Sequence, residues 1–117
     1  MTLASNRKQK KLELMAYVVR FVQRFQPSKE KEFLALEREF ARLERRRRGL
    51  PRGRRLRPFA GRDASHTLVW ESQFATLAKA ERALAALAAD PGHARLLKKQ
   101  VPFFLEAWTE IYEVLEL

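Results

Sequence analysis

LELMAYVVRFVQRFQPSKEKEF, residues 12–33, is the stretch on which the fold turns. Leu12–Phe25 is rich in Val, Tyr and Phe and holds neither Gly nor Pro, which predicts a β-strand. One parity carries Met15, Tyr17, Val19, Phe21 and Phe25. The other carries Ala16, Val18 and Val22, with Arg20 and Arg24 embedded among them. Pro27-Ser28 stops the strand. Ser28 is the expected N-cap of a helix, and Glu30 and Glu32 suit its positive end. Phe33, Leu36, Phe40 and Leu43 then recur at spacings of three and four, which is one helical face. Arg45–Arg48 complement the negative end, and Gly49 can close the helix in a left-handed conformation.

The pattern continues with a loop over residues 50–55 and a short strand over Leu56–Ala60. Pro58 cannot donate to a ladder, so this strand belongs at a sheet edge. His66–Phe74 is a second strong strand, with His66, Leu68, Trp70 and Phe74 on one face and Thr67, Val69, Glu71 and Gln73 on the other. Thr76 can cap a second helix that sets Leu77, Ala80, Leu84 and Leu87 on its apolar side. Asp90-Pro91-Gly92 interrupts it, a further turn or two runs over His93–Gln100, and Pro102 ends the segment. Glu106–Leu117 alternates as a last strand. The order βαββαβ predicts an α+β, ferredoxin-like fold: a four-stranded antiparallel sheet with two helices on one face. Strands one and three are the richest in apolar residues and should be central, with strands two and four at the edges.

At 117 residues and 46% hydrophobic content the chain is expected to form one domain over residues 12–117. Residues 1–11 read as a flexible basic arm, and Met15 is a second place where translation could begin. No cysteine is present, which excludes disulfides, thiolate metal sites and a cysteine nucleophile. With two histidines the sequence calls for no metal and no cofactor. No run approaches the roughly 18 apolar residues of a membrane span, and the start carries no secretory pattern. The expectation is a soluble, cytoplasmic protein with no membrane partner.

The formal net charge is +10. Nine arginines and no acid lie between Arg45 and Arg62, and four more cations and no acid lie within the first eleven residues, so the rest of the chain carries −3. The basicity belongs to an arm and one connection. Such a run reads first as a solvated segment. The alternative is a nucleic-acid interface in which Arg47, Arg48, Arg52, Arg54 and Arg55 contact phosphates.

Two helices cover only one face of the sheet. Val18, Val22, Val69 and either Ile111/Leu115 or Tyr112/Val114 would line the other. Exposed together they exceed the apolar patch that monomers usually carry, which predicts a twofold homodimer packed sheet against sheet.

Three stretches, Val18–Phe21 leading to Pro27–Phe33, His66–Phe74, and Glu110–Val114, resemble the dimeric α+β barrel superfamily, and within it the NIPSNAP-like and antibiotic-biosynthesis-monooxygenase-like small proteins. The likeness spans about residues 15–117. It implies the fold and the dimeric barrel. It also implies a small apolar or aromatic ligand in the barrel cavity, and a role such as cofactor-free oxygenase or isomerase. The arginine-rich connection over residues 45–57 departs from the family pattern.

Arg20 and Glu71 are expected to face each other on the uncovered side. There they either orient a ligand, with Arg20 as bidentate anchor, or simply fix strand register. Trp70 and Tyr17 complete the ligand-binding set, although large rings also serve cores and interfaces. His66 and Glu71 are the candidates for acid–base catalysis. His93 reads as a helix-end residue. No phosphate-binding glycine loop is present.

Overall fold

The computed structural model describes residues 15–63 and 65–117. The expected basic arm, and the start of the first strand over residues 12–14, lie outside the described residues. The elements are β1 (Tyr17–Phe25), α1 (Glu30–Arg46), β2 (Arg54–Leu56), β3 (Thr67–Phe74), α2 (Leu77–Ala89), α3 (Pro91–Gln100) and β4 (Phe104–Glu113). The sheet is antiparallel in the order β2-β3-β1-β4, so the two strongest strands are central and the proline-flanked strand is an edge, as the sequence predicts.

Where local chemistry competes, boundaries move. Ser28 does not cap α1. Pro27–Lys29 closes a 3-10 turn through the Lys29 amide, which donates to the Gln26 carbonyl (2.9 Å), and α1 starts only at Glu30. Gly49 does not close that helix: α1 ends at Arg46 with Arg47 as its extended C-cap, and Gly49, at φ +88°, sits in the turn beyond, a conformation glycine adopts without Cβ strain. β2 occupies Arg54–Leu56 rather than 56–60: Arg54 reaches Glu71 of β3 and Arg55 reaches Glu44 of α1, while Pro58 has no N–H to donate. Thr76 Oγ1 accepts from the Lys79 amide (3.1 Å) and Asp90 Oδ1 from the His93 amide (3.0 Å). Each cap starts its own helix, so two α-helices stand where one interrupted helix was expected. β4 begins at Phe104 and ends at Glu113, where its pairing with β1 reaches Tyr17; one more bond joins the Val114 amide to the Ala16 carbonyl.

The helices pack on the face of β1 that carries Val19, Phe21 and Phe25. Two clusters fill this side: Val19, Trp70 and Ala80 with Phe74, Leu84 and Leu87, and Phe25, Phe33 and Leu68 with Phe103 and Phe104. Phe25 and Phe33 stack with centroids 4.5 Å apart. Burial of each such ring stabilises the fold by about 1.5–3 kcal/mol.

The opposite face carries no helix. Register places Val22 between Val69 and Trp108, and Arg20 between Glu71 and Glu110. Tyr112, opposite Val18, joins Trp108 and Glu110 of β4 on this side, whereas Ile111 lies opposite Val19 on the helix side. Apolar and charged residues alternate along the strands, while across them the charged row alternates in sign, Glu71, Arg20, Glu110. Glu71 pairs with Arg20 (3.4 Å) and Arg54 (2.7 Å), and Arg24 with Glu106 (3.0 Å). The Arg20 guanidinium lies 5.2 Å over the Tyr112 ring, while Glu110 accepts from Tyr112 (2.7 Å) and from Trp108 Nε1 (3.0 Å). These long side chains already bury Val22, so the apolar patch is smaller than the sequence suggests. Among the described residues, no helix is long and apolar enough to cross a membrane.

Candidate functional site

A cavity of about 350 Å³, open to solvent on one side, lies within the single chain between the covered face of the sheet and the three helices. Its apolar walls come from Phe21 and Trp70 of the sheet, Phe40 of α1, Leu84 and Leu87 of α2, and Leu97 of α3. Its volume falls within the range of small-molecule sites.

A polar cluster occupies one part of the wall: Glu37 and Glu44 of α1, Gln23 of β1, Arg55 of β2, and His93 and Gln100 of α3. The helix itself delivers the two acids. Phe33, Glu37, Phe40 and Glu44 are spaced four, three and four apart, so both carboxylates project from the apolar stripe. Glu37 is 6% and Glu44 5% exposed. A charge buried this far needs a partner, and Arg55 supplies it. Its Nη1 and Nη2 donate to the two oxygens of Glu44 at 3.1 and 2.5 Å, a bidentate fork. Trp70 Nε1 (3.2 Å) and the Gly53 amide (3.0 Å) also donate to Glu44 Oε1. Glu44 is therefore fully engaged.

Glu37 is not. Its nearest cation atom is Arg55 Nε at 3.9 Å, too long for a hydrogen bond. Burial raises the Glu37 carboxyl above its ordinary range, against the opposing pull of Arg55 and of the Gln100 and Gln23 amides. Burial also lowers the His93 imidazole below its usual value, although Asp90 and Glu44 pull the other way. His93 has two roles here: its amide anchors the Asp90 cap, and its ring lies 5.0 Å from Phe40 on the cavity wall. Among the described residues no group of His, Asp and Glu has the arrangement of a metal site.

Of the residues singled out in the sequence, Trp70 lines this cavity. Arg20 and Glu71 do pair, but on the opposite face of the sheet, where Arg54 joins them. Tyr17 shares Trp70's face, opposite Phe74 at the far end of β1, and forms no part of the cavity wall. His66 precedes β3 and sets its ring edge-on to Phe25, again off the wall, with its buried Nδ1 unpartnered. The structure thus separates Trp70 from Arg20 and Glu71 by the thickness of the sheet. Sequence reasoning missed Glu37, Glu44, Gln23, Gln100 and the cavity role of Arg55. The readable signal was a pair of acids inside an apolar helical stripe.

Four of the nine arginines of the basic connection pair with acids among the described residues. Arg47 pairs with Asp90 (3.8 Å), Arg54 with Glu71, Arg55 with Glu44 and Arg57 with Glu30 (3.4 Å). Arg52 donates to the Arg45 carbonyl (3.4 Å). Arg48 is exposed with no acidic partner among the described residues. Arg45, Arg46, Arg52 and Arg62 are likewise exposed with no acidic partner among the described residues, so five of the nine cations keep their charge unmatched.

No family model matches the chain, and no curated protein matches it. Solved structures do. An uncharacterised NIPSNAP domain protein from Burkholderia xenovorans superposes with a TM-score of 0.70 at 18% identity, covering 85% of this chain and 94% of its own. A NIPSNAP family protein of unknown function from Agrobacterium tumefaciens gives 0.66 at 22% identity, with 86% and 88% covered. An antibiotic biosynthesis monooxygenase candidate from Nitrosomonas europaea gives 0.67 at 19% identity, with 86% and 91% covered. The resemblance read from the strand and helix pattern is met in the fold that these proteins share.

Proposed function

We propose that the protein binds a small apolar or aromatic molecule in the cavity between sheet and helices, and that its chemistry there is proton transfer. The carrying observation is a ring-lined cavity with one buried polar cluster. Apolar walls supply affinity, while a few polar groups set orientation. Burial pushes Glu37 up, towards neutrality, so that it holds its proton longer, and pushes His93 down, which favours the uncharged imidazole at neutral pH; a buried acid and an uncharged base suit general acid–base work. Removal of a proton from a bound carbon acid serves an isomerase. It also serves an oxygenase that lets the resulting carbanion react with dioxygen, the kind of activity suggested by the monooxygenase candidate of similar fold.

Filling the cavity is the direct test. Leu84→Trp should lower the affinity for naphthalene-sized ligands at least tenfold, read by calorimetric titration, with the melting transition recorded to confirm folding. Unchanged binding in a folded Leu84→Trp protein would remove the cavity from consideration.

We further propose that two copies pair through the open face of the sheet. Its checkered charges can meet their own twofold image with opposite signs opposed, and its apolar members Val18, Val69 and Tyr112 gain cover. Sedimentation at micromolar concentration should return twice the 13.7 kDa chain mass; a single-chain mass would rule the pairing out.

A further inference from the structure

The connection between α1 and β3 carries charge left unmatched within the described residues. Arg45, Arg46, Arg48, Arg52 and Arg62 are exposed and meet no acid there. Arg45 and Arg46 suit the negative end of α1. Arg48, Arg52 and Arg62 lie beyond that helix and have no such role. Like charges gathered together repel and work against a compact chain. Arg52 Nη2 donates to the Arg45 carbonyl (3.4 Å), which collects the first four guanidinium groups at the end of α1. β2 then runs back along the edge of the sheet, and Arg57 pairs with Glu30 at the start of α1. The strip therefore spans the 17 residues of α1, about 25 Å at the helical rise. Phe59 stands two residues beyond Arg57 with its ring fully exposed, and Arg62 follows in the same loop.

We propose that this strip binds single-stranded nucleic acid, with the unmatched arginines on phosphates and Phe59 stacked on a base. It is a second site, independent of the cavity and of the reading given to it. The nine cations between Arg45 and Arg62 are all arginine and none is lysine. A guanidinium grips phosphate by two parallel bonds, where an ammonium offers a point charge. A polymer that repeats phosphate and flat ring uses the cations and the bare phenyl together. A duplex hides the faces of its bases and gives Phe59 nothing to stack on. An anionic membrane calls for an apolar face that can sink into it, and the other large apolar side chains of the segment, Leu50 and Leu56, are half-buried. Arg47, Arg54, Arg55 and Arg57 are engaged by Asp90, Glu71, Glu44 and Glu30. Phosphate contact thus falls to a different set from the one expected on sequence, of which Arg48 and Arg52 remain.

The test is fluorescence anisotropy on the full chain with a short labelled oligouridine, the matching RNA duplex, and co-sedimentation with vesicles containing phosphatidylserine. The single strand should bind at low salt and more tightly than the duplex. The logarithm of its binding constant should fall with the logarithm of salt concentration at a slope of about −3.5, five phosphate contacts at about −0.7 each. Arg48→Ala, Arg52→Ala and Arg62→Ala together should make that slope shallower by about 2. Phe59→Ala should weaken binding about tenfold, the loss of one stacked base, and leave the slope alone. All four side chains are exposed, so melting should stay native. Binding that survives both variants would belong to the four cations of residues 1–11 and would overturn the assignment. So would duplex binding as tight as the single strand's, capture by vesicles but not by the strand, or no binding at low salt. Loss of pairing between copies in Phe59→Ala, read by sedimentation, would place the ring in that contact and overturn it as well.

Discussion

Arg55→Ala should cost about 3–5 kcal/mol of folding stability, the usual penalty for stripping one partner from a buried ion pair. The variant keeps Glu44 and Glu37 inside and takes away the one cation that reaches both among the described residues. Glu44 would retain Trp70 Nε1 and the Gly53 amide as donors but lose the guanidinium fork. Glu37 is already raised by burial, and Arg55 is the strongest influence holding it down. Without Arg55 its folded value climbs further above its unfolded one. A raised folded value means that the folded state holds its proton longer. The stability so gained is present in acid and is lost as pH rises through the folded value. The deficit of Arg55→Ala should therefore be smallest in acid and largest at neutral pH. Urea denaturation at both conditions measures it. A loss below about 1 kcal/mol at neutral pH, the scale of an exposed pair, would mean that water reaches these carboxylates. Adding Glu37→Gln and Glu44→Gln to Arg55→Ala should recover a large part of the loss, because the uncompensated charges are then gone.

Gly53→Ala should be the most disruptive of the small substitutions. A methyl built there would stand 2.0 Å from Trp70 Nε1 and 2.1 Å from Cε2 of the same ring, well inside contact distance, so the indole must move. Overpacking of this kind costs about 1–3 kcal/mol, and the displaced indole also gives up its bond to Glu44, worth about 1.5–3 kcal/mol as a bond to a charged acceptor. The indole packs on Val19 and Ala80 and lines the cavity. Ligand affinity should fall along with stability, and the near-ultraviolet circular dichroism of Trp70 should change. A variant with native melting and native ligand affinity would falsify the close approach of Gly53 to the ring.

The fold was legible because its punctuation is local. Pro27, Thr76 and Asp90 each act within a few residues, and each interrupts or starts an element as its chemistry predicts. The apolar richness of β1 and β3 marked them as the central strands. Ser28 misled because a competing 3-10 turn lay one step upstream, and propensity alone cannot rank two such neighbours. The cavity was far less legible. Trp70 stood out as an aromatic ring on a strong strand, but Glu37 and Glu44 look like ordinary polar helix positions unless they are set on the same wheel as Phe33 and Phe40. Arg55 was one of nine arginines in a run, and nothing local distinguishes the one whose charge is needed inside. Gln100 sits at the end of a helix whose start is its visible feature. These four meet only through the crossing of three elements, which spacing along the chain does not encode.

Arg54 and Arg55 are adjacent, and the two-residue period of a strand sends one to Glu71 on the open face and the other to Glu44 beneath. If β2 slid by a single residue, Gly53 or Leu56 would take the place of one of these two arginines, and Glu71 or Glu44 would lose the guanidinium that now faces it. The slide would also bring Arg52 or Arg54 to the indole edge now grazed by Gly53, where no side chain fits. Charge and a missing methyl group thus set the alignment of this edge together, and a residue with no side chain helps decide which arginine goes in.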